Sequence, residues 1–187
     1  MPSARASIGI WILVQLVQAT VIQRQHICKE GNMISAFTPN AKNHEGLGPL
    51  ASRLVHVNDM PWEPIRYPGC HVKTLMVDKA SGLLTVLLKM DPGAELPDHE
   101  HVMLEQTFVI EGRLVDKDGP EKGLSCGPGE FIWRPAGSRH SAWTPEGGLM
   151  IAIFQIPNKF YEKDGKIVDL LGDDWGLKWD KALEQAQ

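Results

Sequence analysis

From Leu50 onward the chain alternates short apolar runs with turn residues, the pattern of an antiparallel β protein. Leu54–Val57, Val72–Val77 and Gly82–Met90 are rich in Val, Leu and Met, and Asn58-Asp59, Pro68-Gly69, Asp78–Ser81 and Asp91-Pro92-Gly93 punctuate them. Gln106–Val115 (QTFVIEGRLV) is aromatic and β-branched and is interrupted by Gly112. Phe131–Trp133 predicts a short strand, and Gly148–Pro157 (GLMIAIFQIP) is apolar on both faces, as a central strand is. The intervening Val115–Gly127 reads as a hairpin tip followed by a short strand. Strands recurring at roughly 8–12 residues with turns between them predict a sandwich or barrel. Trp175–Gln187 has helical character and is placed to cap that barrel or to pack on a partner subunit.

Two stretches of this pattern carry chemistry. In GAELPDHEHVMLEQTFVIEG (Gly93–Gly112), His99 and His101 are two apart, so a strand projects both imidazoles to one side. Glu105 has the same parity, yet straight strand would carry it about 13 Å beyond His101, too far to share an ion. The chain must therefore turn at Val102–Leu104 and return. In GEFIWRPAGSRHSAWT (Gly129–Thr144) a strand runs into Pro135 and Gly137, a turn signal, ahead of His140, the candidate fourth ligand. A lone H-x-H among seven histidines is more often a surface or core feature than a ligand pair.

Together the stretches read G-x5-H-x-H-x3-E-x6-G and G-x5-P-x-G-x2-H, with sixteen residues between Gly112 and Gly129. These motifs resemble those of the cupin family at nine positions in the right order; the departure is Thr144, where the second motif usually ends in Asn. The resemblance implies an all-β, single-domain cupin (a double-stranded β-helix or jelly-roll barrel) with a short C-terminal helix. The barrel would span residues 50–160, with 1–49 an N-terminal extension outside the fold and 161–187 a C-terminal tail. It also implies a divalent ion on His99, His101, Glu105 and His140, and a homodimer. Three imidazoles and a carboxylate suit Fe(II), Mn(II), Ni(II) or Zn(II), of which Fe(II) is favoured here for its fit to oxygen chemistry.

Within the cupins, LEQTFVIEG, GEFIWRPAGSRHSAW and the tail PNKFYEKDGK resemble the ChrR-like group, which includes acetylacetone-cleaving dioxygenases. Pro157, Phe160, Asp164, Gly165 and Lys166 carry the tail's share of that likeness. Those enzymes look like three-histidine proteins without the carboxylate, whereas this chain keeps Glu105. The leading expectation is an Fe(II) dioxygenase using O2 on a small-molecule substrate, a β-dicarbonyl or a hydroxy-ketone. His99, His101 and His140 would hold the ion, and Glu105 would tune its charge or act as a detachable ligand. Thr107 and Val109 share the parity of Glu105 and are expected on the cavity wall. Trp133, Arg134 and Trp143 flank the second motif, with Arg134 expected at a solvated rim ahead of a grip on a substrate carboxylate. The alternatives are a metal-dependent sensor or binding module and a cupin isomerase or lyase.

Charge and composition narrow the partners. The 187 residues are 43% hydrophobic and 22% charged, ordinary for one domain, and a net charge of −4 without a basic cluster argues against nucleic acid. Cys28, Cys70 and Cys126 are odd in number and widely spaced, which indicates a reducing, cytoplasmic setting and neither a disulfide framework nor a thiolate zinc site. Cys126, in a Gly-rich stretch near the second motif, is read as an inert small residue ahead of a reactive one. Ile8–Ile22 is apolar, but its fifteen residues fall short of the ~20 that span a membrane, so no membrane association is expected. For residues 1–32 a mis-called start ahead of Met33 ranks above a signal peptide, and that above a folded helix.

Overall fold

The computed structural model describes residues 35–186. It contains thirteen strands among them: β1 (Ala36–Phe37), β2 (Glu63–Pro64), β3 (Cys70–Asp78), β4 (Leu84–Met90), β5 (Glu95–Glu100), β6 (Glu105–Gly112), β7 (Leu114–Asp116), β8 (Ser125–Cys126), β9 (Phe131–Arg134), β10 (Arg139–Trp143), β11 (Gly148–Phe154), β12 (Lys159–Tyr161) and β13 (Ile167–Val168). One helix, α1 (Trp175–Ala186), follows. A seven-stranded sheet runs β1-β3-β4-β11-β6-β9 with β2 added on β3, and a six-stranded sheet runs β13-β12-β5-β10-β7-β8. Every ladder is antiparallel. This is the all-β barrel with a short C-terminal helix that the apolar pattern predicts.

Alternation makes the core. Leu84, Val86, Leu88 and Met90 on β4 and Met150, Ala152 and Phe154 on β11 are buried, while their neighbours face outward. β11 lies between β4 and β6, the central place its two apolar faces predict. The long run from Glu105 changes sheets at Gly112: β6 ends there and β7 joins the other sheet. Gly112 holds φ +71°, and a Cβ there would lie 1.9 Å from the Gly147 carbonyl oxygen, so only glycine turns this corner. At the C-terminus, Asp174 Oδ1 accepts the Leu177 N–H at 2.9 Å as the cap of α1. Trp175, Trp179 and Ala182 then bury one face of the helix in the barrel core, the first of its two predicted placements.

Two features differ from the pattern. Leu54–Val57 forms no strand and runs into a 3-10 turn at Val57–Asp59. Side chains take the carbonyls a ladder would use: Asn43 and His44 reach Leu54 O at 2.8 Å, and Lys73 donates to Val57 O at 2.8 Å. Conversely, β1 pairs with Val77 and Asp78 of β3, so the sheet begins upstream of Leu50. The apolar run Ile8–Ile22 and Cys28 lie outside the described residues.

Candidate metal centre

β5 and β10 place His99 and His140 directly opposite each other. His101 lies one residue past β5, and Val102–Leu104 turn the chain into β6, which opens on Glu105. The second motif's turn is tied to the first by backbone bonds, from His101 N–H to Ser138 O at 2.9 Å and from Gly137 N–H to His101 O at 2.7 Å. Strand parity, turn and cross-strand register thus bring three imidazoles together. Their ring centroids lie 4.7 Å (His99–His140), 5.0 Å (His99–His101) and 5.1 Å (His101–His140) apart. One ligand atom from each falls within 4.8 Å of the others, and all three residues are buried.

In two of the rings one nitrogen is committed away from the cluster. His99 Nδ1 donates to Pro97 O at 2.8 Å, and His140 Nδ1 donates to Asp116 Oδ1 at 3.0 Å, since a carbonyl and a carboxylate only accept. His101 Nδ1 stands 3.0 Å from Glu105 Oε2. The Nε2 atoms are left without protein partners, and that of His101 is fully buried. Two rings whose other nitrogens are held by acceptors, and a third that is buried with neither nitrogen hydrogen-bonded, fit a histidine metal site. Burial, reinforced by the neighbouring imidazoles, pushes His99 down to about 3. It is therefore neutral at pH 7, the form that ligates. Burial alone would raise Glu105, but His101, His99 and the Asn158 hydrogen bond outweigh it and hold the carboxyl below the usual range.

The other predicted residues separate. Glu105 is not part of the converging set: Asn158 Nδ2 donates to its Oε2 at 2.6 Å and Thr107 Oγ1 to its Oε1 at 3.1 Å. Thr107 does line the cavity, whereas Val109 packs into the apolar core. Arg134 is buried, not at a solvated rim, because its guanidinium donates to Asp116 Oδ1 at 2.7 Å. Trp133 is exposed, and Trp143 is half-buried. Thr144 is fully buried, its backbone bonded to Gly93 and Ala94. Of the tail, Phe160 stacks on His99 at 4.8 Å between centroids, while Asp164, Gly165 and Lys166 form an exposed turn between β12 and β13. Burial raises the thiol pKa of Cys126, as an inert residue requires.

Two residues that motif reading misses complete the site. Asp116, on β7, holds His140 and Arg134 with a single oxygen. Asn158, just past Pro157, holds Glu105 and lines the cavity, whose volume is about 30 Å³. The alternation Leu114-Val115-Asp116 is the sequence signal for Asp116, since it puts the carboxylate on the same face as buried Leu114.

A two-sheet antiparallel barrel with three histidines converging inside it defines a cupin. The chain belongs to the ChrR cupin-like domain family, which matches residues 51–159. It is similar in fold to an acetylacetone dioxygenase from Acinetobacter johnsonii, at 17% identity and a TM-score of 0.58 over 73% of this chain and 94% of that one. A putative acetylacetone dioxygenase from Methylibium petroleiphilum is similar at 19% identity and a TM-score of 0.58, over 74% and 96% of the two chains. An RmlC-like cupin protein from Ralstonia eutropha is similar at 20% identity and a TM-score of 0.57, over 73% and 87%. No functionally curated protein matches the chain. Among the described residues no helix is long and apolar enough to cross a membrane.

Proposed function

We propose that the protein holds one divalent ion on His99, His101 and His140 and acts as a non-haem Fe(II) dioxygenase on a small β-dicarbonyl or hydroxy-ketone. The observation that carries this is the convergence of three buried imidazoles, with the nearby carboxylate tied back to Asn158 and Thr107. Three protein ligands leave an ion open positions for a chelating substrate and a gas, whereas a structural zinc site is closed by four. Fe(II) bound there would supply Lewis acidity and an electron for O2; Zn(II), Mn(II) or Ni(II) fit the same donors without the same redox chemistry. Pro97 O and Asp116 fix the ring orientations of His99 and His140. Phe154, Phe160 and Leu170 line the cavity and make this part of its wall apolar. Glu105 orients His101, brings negative charge to the site, and is the candidate detachable fourth ligand. The fold shared with acetylacetone dioxygenases supports testing that substrate class.

The cavity volume of about 30 Å³ favours a second reading. It holds an ion and a water or two, far below the ~300 Å³ of a typical small-molecule pocket. A turnover site would need the apolar wall of Phe160 and Leu170 to move aside while Asn158 stays in place; a metal-sensing or binding module would need no such movement. Elemental analysis of purified protein and of His101→Ala, followed by oxygen-electrode runs with Fe(II)- and Zn(II)-loaded protein over a panel of β-diketones and hydroxy-ketones, separates the two. Iron-dependent O2 uptake with at least one compound is expected. Full iron occupancy with no uptake refutes the oxygenase and leaves the binding module; turnover with zinc alone indicates isomerase or lyase chemistry.

A further inference from the structure

The side chain of Asn158 is 4% exposed, lines the histidine cavity, and has its two polar atoms in unequal states. Nδ2 donates to Glu105 Oε2 at 2.6 Å, and Oδ1 is buried with no protein partner. The amide cannot be turned over to relieve this. Glu105 accepts from Thr107 on one oxygen and faces His101 Nδ1 on the other, so it presents acceptors, and an amide oxygen turned toward it would meet a lone pair. The orientation of the amide is thus set by Glu105. What Asn158, a residue of the cavity wall, keeps unpaired is an acceptor.

We propose that Asn158 selects the ligand of this cavity by demanding an O–H from it. The class it favours is a small α-hydroxy-ketone, whose hydroxyl donates to Oδ1, over a β-diketonate, which brings only acceptor oxygens to the ion. A buried acceptor left without a donor costs free energy, and a ligand that supplies the donor recovers it, whereas two acceptors face to face repel. Asn158 acts here as a specificity-determining residue rather than a metal ligand. The inference rests on the cavity being the substrate site proposed above and divides the two substrate classes that proposal leaves open.

The test is direct binding to the intact Co(II)-loaded protein, read from the visible d–d spectrum, with hydroxyacetone and acetylacetone as probes. Wild type is expected to prefer hydroxyacetone, and Asn158→Ala to reduce the ratio of the two affinities about tenfold. Acetylacetone serves as the internal control for folding and metal loading, because a general disturbance of the site weakens both probes together. Thr107→Val removes the other hydrogen bond to Glu105, so it reports any effect transmitted through that carboxylate alone; the affinity ratio is expected to stay within threefold of wild type. An unchanged ratio in Asn158→Ala, an equal drop in Thr107→Val, or wild-type protein that binds acetylacetone and not hydroxyacetone each overturns the proposal, as does failure of both probes to bind. Failure of the oxygenase reading is distinct: the affinity ratio would respond to Asn158→Ala while no O2 is consumed with iron.

Discussion

Asp116 is the residue whose removal separates the stability of the barrel from the quality of its metal site. One oxygen, Oδ1, takes Arg134 at 2.7 Å and His140 Nδ1 at 3.0 Å, with the side chains of Asp116 and Arg134 only 3% and 9% exposed. Asp116→Ala leaves a guanidinium buried without its counter-charge, and breaking a buried pair in this way costs about 3–5 kcal/mol. It also frees His140 to rotate and to change tautomer, and loss of such an outer partner typically weakens metal binding ~10–100-fold. Both effects follow from one substitution, so a second variant is needed to part them. Asp116→Leu combined with Arg134→Met replaces the pair by apolar side chains, which should bring stability to within about 1 kcal/mol of wild type or above it. Metal affinity should stay as low as in the single variant, because His140 still lacks its acceptor. Urea denaturation of the chelated proteins gives the first quantity, and competition against a chromophoric chelator gives the second. A single variant within about 1 kcal/mol of wild type would refute the buried-charge argument, and a double variant that regained full metal affinity would refute the orienting role.

Three further expectations follow from the same geometry. The folded pKa of His99, about 3 against an ordinary value near 6.5, means that the unfolded chain binds the extra proton. The chelated protein should therefore keep its full stability above pH 6.5 and lose it as the pH falls toward 3, by about 2 kcal/mol between pH 7 and 5; flat denaturation midpoints over that range would contradict it. Gly112→Ala should destabilise by at least ~2 kcal/mol, since its Cβ would lie 1.9 Å from Gly147 O at a left-handed φ, and a thermal melt equal to wild type would show that the corner can relax. Glu105→Gln should retain one ion per chain while His101→Ala loses it, as elemental analysis can show, because the three histidines converge without the carboxylate.

Parity and turn chemistry make the histidine cluster legible from the chain alone. His99 and His101 share a strand face, the Val102–Leu104 turn is required if Glu105 is to approach them, and Pro135-Gly137 delivers His140 to the strand opposite His99. The alternation in β4 and the doubly apolar β11 likewise predict the core and the central strand. What is not legible is settled by partners distant along the chain. Asp116 lies 24 residues from His140 and 18 from Arg134, and Asn158 lies 53 from Glu105. No local period links such pairs, and an arginine beside a turn reads as solvated until the carboxylate that neutralises it is known. The same holds for Leu54–Val57, whose strand-like composition is overruled by Asn43, His44 and Lys73 binding its carbonyls.

The distinction matters for Glu105. Its spacing in the motif, with the turn at Val102–Leu104, places it near the histidines, but spacing cannot say whether it would bind an ion or a histidine. Asn158 and Thr107 each bond one of its oxygens, and His101 Nδ1 is its neighbour in the cluster. A carboxylate so held brings negative charge to within 3.0 Å of the His101 ring, and in the function proposed above it would leave an ion on three histidines one more open position than a four-ligand site has. Asn158 belongs to the tail that also carries Phe160 against His99, so the residues after Pro157 form part of the site wall rather than an appendage to the barrel. The placement of Glu105 beside the histidines thus depends partly on Asn158, a residue from the C-terminal side of the chain that neither ligand motif contains.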